Sequence, residues 1–239
     1  MLKKSFFRFV DSLDLTNKIS NKAVLNYFEI MHIKISKRKS KANAINNTKN
    51  IDKLLLKDGY IENQSWWKRI SYGSSTMDYS GCEIIAIYNA LFNLNKEQSC
   101  NNIVELISYF EKHGSALRGF FGTSPRAIER YFAKKGYATA ISLDGTAKSI
   151  EAIENRYETF IVTFFNDVNR LSSGVHTVCI TGKRNGYYIH NNYKIDSKTG
   201  FYTSQGPFDT LENSIRLIKP NSKMISLIGI KWKALSYLR

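Results

Sequence analysis

The chain has 239 residues, 43% of them hydrophobic and 13% aromatic, enough to bury a core and too apolar for a disordered polymer. Its 14 glycines and 3 prolines exclude collagen-like and Pro-rich classes, and no apolar run approaches the roughly 20 residues of a membrane-spanning helix. The net charge of +15 is uneven: residues 1–70 carry 15 Lys/Arg against 6 Asp/Glu, a surplus of 9.

That surplus is densest at Lys34–Lys41 (KISKRKSK), which reads as a solvated basic segment able to make weak contact with an acidic surface. No aromatic stacking pattern accompanies it, so no specific nucleic-acid partner is expected. Three widely spaced cysteines (Cys82, Cys100, Cys179) do not form a disulfide framework, and no secretory signal is legible at Met1–Val10. The expectation is a cytoplasmic protein with reduced thiols and no transmembrane segment.

In chain order, Leu13, Leu15 and Ile19, then Val24, Leu25, Phe28 and Met31, recur at helical spacing. Ser40–Asn50 is polar with almost no apolar periodicity and reads as a linker; a short helical piece around Ile51–Leu56 follows. This divides the chain into a basic helical segment with linker, 1–60, and a main domain, 61–239. Cys82–Leu94 is apolar on almost every face, which requires a helix buried on all sides. Ile103, Leu106, Ile107 and Phe110 mark a one-faced helix ending at His113-Gly114, and Ser124-Pro125 opens another that stops at Lys134-Lys135-Gly136. A strand (Tyr137–Ser142), a helix (Ala147–Tyr157) and a strand (Thr159–Phe165) follow. Val175–Thr181 and Tyr187–Asn191 read as a hairpin, and a helix at Leu211–Ile218 precedes a closing strand, Ile225–Trp232. Helices first and an antiparallel sheet later define an α+β class.

Cys82 opens the buried helix, where unpaired backbone N–H groups and the positive end of the dipole favour a thiolate. A nucleophilic thiolate needs a base, and His176 on the hairpin's first strand is the best placed of four histidines. The imidazole then needs an orienting acceptor, which Asn191 on the second strand can supply. His190 reads as an exposed or cross-strand-paired residue, His113 as a helix-terminal one, and His32 as part of the basic segment. His176 and Cys179, three apart on a strand, point to opposite faces and cannot share one metal ion. No metal or cofactor is expected.

The hairpin register decides whether such a site can form. A turn at Asn185-Gly186 would set Asn191 opposite Ile180, about 13 Å from His176. A turn centred on Lys183-Arg184 pairs His176 with Asn191, and a three-residue loop between Gly182 and Gly186 pairs it with Asn192. The site requires one of the latter two.

The segments STMDYSGCEIIAIYNAL (Ser75–Leu91) and GVHTVCITGKRNGYYIHNNY (Gly174–Tyr193) resemble papain-like cysteine peptidases, nearest to the bacteriocin-processing peptidases that remove double-glycine leaders. The resemblance covers roughly Gly73 to the C-terminus. It implies a papain-like fold and peptide-bond hydrolysis through an acyl-enzyme, with Cys82 as nucleophile, His176 as base and Asn191 as third member. That family has Asp before and Gly after the nucleophile, where this chain has Gly81 and Glu83. Its oxyanion-hole Gln falls about six residues before the Cys, where this chain has Thr76. Asp78 and Glu83 would oppose a thiolate if they face it. Phe120, Phe121 and Tyr193 are candidate substrate contacts. The implied partner is a peptide or protein; the alternatives are an inactive peptide-binding domain with the same groove, or an acyltransferase using the same cysteine.

Overall fold

The computed structural model describes residues 20–51, 59–95, 100–169 and 173–233. The first of the expected N-terminal helices (Leu13 to Ile19) and most of Ile51–Leu56 lie outside these residues. The described chain is mixed α+β: eight α-helices, a six-stranded antiparallel sheet and a two-stranded ribbon.

Helix α1 (Asn21–Ile30) is capped by the Ser20 hydroxyl, which accepts from the Ala23 N–H, and buries Leu25 and Phe28 against Ala116, Phe121, Phe165 and Ile225. Helix α2 (Lys37–Ile51) occupies the stretch expected to be a linker. Its periodicity is present but written in polar residues. Ser40, Asn43, Asn47 and Ile51 share its buried face. The Ser40 hydroxyl and the Asn43 amide both donate to the buried Glu111 carboxylate, at 2.7 and 2.5 Å. Asn47 exchanges two hydrogen bonds with the Ser71 backbone. A helix whose inner face is satisfied by hydrogen bonds leaves no hydrophobic signature, so an apolar-period reading passes over it.

A 3₁₀ turn (Gln64–Trp67) leads into the ribbon of β1 (Ser71–Tyr72) and β2 (Ser75–Thr76) and then a one-turn helix, α3 (Met77–Ser80). Helix α4 (Cys82–Asn95) runs buried from Cys82 through Leu91, as its all-round apolar sequence requires. Helices α5 (Cys100–His113) and α6 (Pro125–Lys134) pack beside it, their aromatic side chains sharing its core.

The sheet comprises β3 (Tyr137–Ser142), β4 (Thr159–Phe165), β5 (Val175–Lys183), β6 (Gly186–Ile195), β7 (Tyr202–Phe208) and β8 (Lys223–Trp232). They are ordered β3-β8-β4-β5-β6-β7, with every adjacent pair antiparallel. β4 is buried on both faces and its alternation divides two cores. Ile161 faces α4 with Cys179, Ile228 and Ile230, whereas Phe160 and Val162 face α7 (Ala147–Glu154) and α8 (Leu211–Arg216). Edge strand β7 is absent from the sequence reading. It contains Gly206-Pro207 and lacks alternating apolar residues, and Pro is tolerated in a sheet mainly at such an edge.

The β5–β6 hairpin adopts neither of the registers expected to assemble the site. Lys183 pairs with Gly186 and Cys179 with His190, giving a two-residue turn at Arg184-Asn185. Continued regularly, this register would set His176 opposite Tyr193, not Asn191 or Asn192. The ladder ends at His190, because Asn191 and Tyr193 take left-handed backbone conformations, with φ of 62° and 55°.

Candidate functional site

Gly81 joins α3 to α4, and its N–H closes α3 on the Met77 carbonyl at 2.9 Å. A Cβ at Gly81 would lie 2.5 Å from the Met77 sulfur, so the tight entry into α4 demands glycine. Cys82 then stands in the first turn of α4, 6% exposed. Its thiol donates to the Glu83 carboxylate at 3.3 Å. Glu83 is itself buried and lies against Gly122, where a Cβ would meet both of its oxygens at 2.5 Å. Of the two acidic residues flagged near the cysteine, Glu83 faces the sulfur.

His176, on β5, is 5% exposed and packs edge-on against Phe164 and face-on against Tyr193, ring centroids 5.3 Å apart. Its Nε2 lies 2.8 Å from the Asn191 backbone carbonyl. A carbonyl only accepts, so Nε2 carries the hydrogen and the lone pair of the neutral ring is at Nδ1. Burial pushes the imidazole down to about 4, against the opposing effect of the Asn191 bond and with help from the Lys219 charge. At neutral pH the ring is an uncharged base.

Tyr193 and Lys219 connect this ring to the cysteine. Burial, and next the Cys82 sulfur, raise the Tyr193 hydroxyl to about 12. Burial lowers Lys219 while Cys82 opposes the shift. The Lys219 ammonium sits 5.9 Å from the Tyr193 ring centre and donates to the Asn166 side-chain oxygen at 2.9 Å. His176, Tyr193 and Lys219 thus pack together at the open end of the hairpin, and the Cys82 sulfur acts electrostatically on Tyr193 and Lys219.

Asn191 joins this cluster through its main chain. Its side-chain oxygen accepts the Gln64 backbone N–H at 3.0 Å, and its amide lies 3.4 Å from the Gln64 side-chain oxygen. Gln64 in turn donates to the Met77 and Asp78 carbonyls at 2.9 and 3.1 Å, bridging β6 to the helix that precedes Cys82. The alternative third member, Asn192, donates instead to Gln205 and to the Ile218 carbonyl.

Behind Asn191 lies a buried carboxylate–imidazole pair, Glu62 and His190. The Glu62 carboxylate is 2.6 Å from His190 Nδ1, and its other oxygen accepts the Asn191 N–H at 2.9 Å. His190 Nε2 meets the Thr181 hydroxyl at 3.0 Å, and its ring stacks on Tyr60 at 3.9 Å. His190 is 1% exposed and, of the two expectations for it, is the cross-strand-paired residue, opposite Cys179 and bonded to Thr181 on β5; its second partner, Glu62, lies 128 positions away. Glu62 therefore clamps the amide of the residue whose carbonyl orients His176. Sequence spacing carries no signal for this, since Glu62 lies outside both segments that bear the candidate catalytic residues, Ser75–Leu91 and Gly174–Tyr193.

Thr76 stands at the N-cap position of α3 without a side-chain capping bond, its hydroxyl donating instead to the Asp78 carboxylate at 2.5 Å. Of the candidate substrate contacts, Phe120 and Tyr193 are 43% and 39% exposed, whereas Phe121 is a core residue packed on Tyr27. His113 ends α5, and His32 Nδ1 lies 2.9 Å from the Ser115 carbonyl. Among the described residues no group of three or more His, Cys, Asp or Glu side chains converges to hold a metal, and no helix is long and apolar enough to cross a membrane. Comparison with protein-family models, curated proteins and solved structures returns no match.

Proposed function

We propose that the chain is a papain-like cysteine hydrolase acting on peptide bonds. The observation that carries this reading is the His176–Asn191 contact. The bond from Nε2–H to a carbonyl leaves the Nδ1 lone pair to serve as base toward Cys82, which opens a buried helix and shares Tyr193 with the ring as a neighbour. In the reaction the Cys82 proton passes to Nδ1 as sulfur attacks the peptide carbonyl. The tetrahedral oxyanion is met by backbone N–H groups of the first turn of α4; the Thr76 hydroxyl, whose one hydrogen goes to Asp78, contributes only if that bond is exchanged. The C–N bond then breaks, the imidazolium returns its proton to the leaving amine, and water releases the acyl group from sulfur. The Asn191 carbonyl orients the ring, in place of the side-chain amide that the family resemblance implies.

A second reading rests on Glu83. A thiol that donates to a buried carboxylate is held as S–H, and a peptide-binding domain with an idle cysteine would look the same. Alkylation by iodoacetamide across pH, read by mass spectrometry at Cys82, separates the two. The hydrolase reading expects alkylation faster than that of a free thiol at pH 7, falling at least tenfold in His176→Ala. Equal and ordinary rates in both proteins would leave the binding domain standing.

A further inference from the structure

Helix α2 carries five cations, Lys37, Arg38, Lys39, Lys41 and Lys49, and no anion in its 15 residues. Because Ser40, Asn43, Asn47 and Ile51 point inward, the 100° step of the helix sets Arg38, Lys41, Ile45 and Lys49 along the outer face, where all four are exposed. Three of the cations stand in the first turn, where they oppose the helix's own dipole. They do nothing for the stability of the helix and are available to an external anion.

The same sign continues onto neighbouring elements. Lys34 precedes α2, Lys112 lies near the end of α5 and Lys134 ends α6; after burial, these three charges are the main reason His113 binds its proton less readily. Among the described residues, the Glu111 carboxylate is buried under Ser40 and Asn43, and Glu29 pairs with Arg130. Aliphatic side chains stand within and beside the basic face. Ile45 is 60% exposed, and Ile30 and Ile33, just before Lys34, are 77% and 42% exposed.

We propose that the outer face of α2, together with Ile33 and Lys34, docks on an acidic phospholipid surface, the cations holding headgroups while Ile45 and Ile33 enter the interface. A purely water-soluble polyanion would satisfy the lysines but gain nothing from exposed isoleucines, whereas the boundary between headgroups and acyl chains rewards both. A nucleic-acid strand would call for stacking rings, and α2 presents none.

The test is flotation of the full-length protein with phosphatidylcholine vesicles, with and without phosphatidylserine. Retention is expected only on the phosphatidylserine vesicles. The triple variant Arg38→Gln, Lys41→Gln, Lys49→Gln removes three surface charges at about fivefold each, so its affinity should fall about a hundredfold. Ile45→Ser should weaken it by about tenfold. All four positions are exposed, and an unchanged unfolding midpoint shows that the fold survives. Equal retention on both vesicle types, or a triple variant that binds like wild type, would overturn the proposal. Retention on duplex DNA without vesicle binding would overturn it in favour of a soluble polyanion, and an Ile45→Ser variant of undiminished vesicle affinity would overturn the entry of Ile45 into the interface.

Discussion

Replacing His176 by Gln keeps an N–H donor for the Asn191 carbonyl while removing a titrating group, which isolates the cost of protonating the buried ring. A histidine in the unfolded chain titrates near 6.5, whereas the buried ring holds out to about 4. As pH falls the unfolded state takes the proton first, so stability contributed by the neutral ring is complete above 6.5 and is lost on the way down to about 4. At pH 4.5 the unfolded histidine lies two pH units below its midpoint and the folded one is still mostly neutral. At about 1.36 kcal/mol per unit this costs wild type about 2.5 kcal/mol relative to pH 7.5. Urea unfolding followed by tryptophan fluorescence at the two pH values, in both proteins, yields the difference. Other titrating groups act in both chains and cancel, so His176→Gln should lose about 2.5 kcal/mol less than wild type over this interval. Identical pH dependence would mean that His176 protonates as readily as a free side chain, and the buried neutral base would have to be abandoned.

Glu62→Gln leaves His190 and the Asn191 N–H competing for one acceptor; about 3 kcal/mol of stability should disappear in urea unfolding, and a loss under about 0.5 kcal/mol would show that the clamp is dispensable. Glu83→Gln should speed Cys82 alkylation at pH 7 at least tenfold by removing the negative neighbour of the sulfur, and an unchanged rate would rule out that restraint. Glu111→Gln removes one of two oxygens that accept from Ser40, Asn43 and the Gly73 N–H, and should cost about 2 kcal/mol by chemical denaturation; wild-type stability would mean α2 is held by other contacts. Gly122→Ala combines a φ of +74° with a Cβ set into the Glu83 carboxylate, and a loss of about 2 kcal/mol is expected in thermal unfolding.

The parts of the fold written in apolar period were legible. β3 and β4 span Tyr137–Ser142 and Thr159–Phe165 as expected, and α4 was evident from its all-round hydrophobicity. What escaped is polar and non-local. Helix α2 is bound through Asn and Ser, whose partners outside the helix lie 23 to 71 residues away, and edge strand β7 carries no alternation. At the candidate site, Cys82 and His176 could be singled out because each stands at a structurally marked position, a helix start and a hairpin strand. The role of Asn191 was read as a side-chain contact because strand logic assigns side chains to faces. It cannot foresee a left-handed residue that ends the ladder and swings its carbonyl inward. Glu62 and His190, 128 residues apart, are joined only by the tertiary fold.

An oxygen that belongs to a peptide unit cannot be deleted by changing a side chain. The group that orients His176 is therefore invisible to an alanine scan: Asn191→Ala would still present its carbonyl, and any loss would report instead the severed link to Gln64 and the strain of alanine at positive φ. At this position the chemistry is encoded as a conformational preference, one that Gly or Asn meets most easily. Asn191→Gly, which keeps the backbone shape and discards the amide, is the substitution that separates the carbonyl's contribution from that of the side chain.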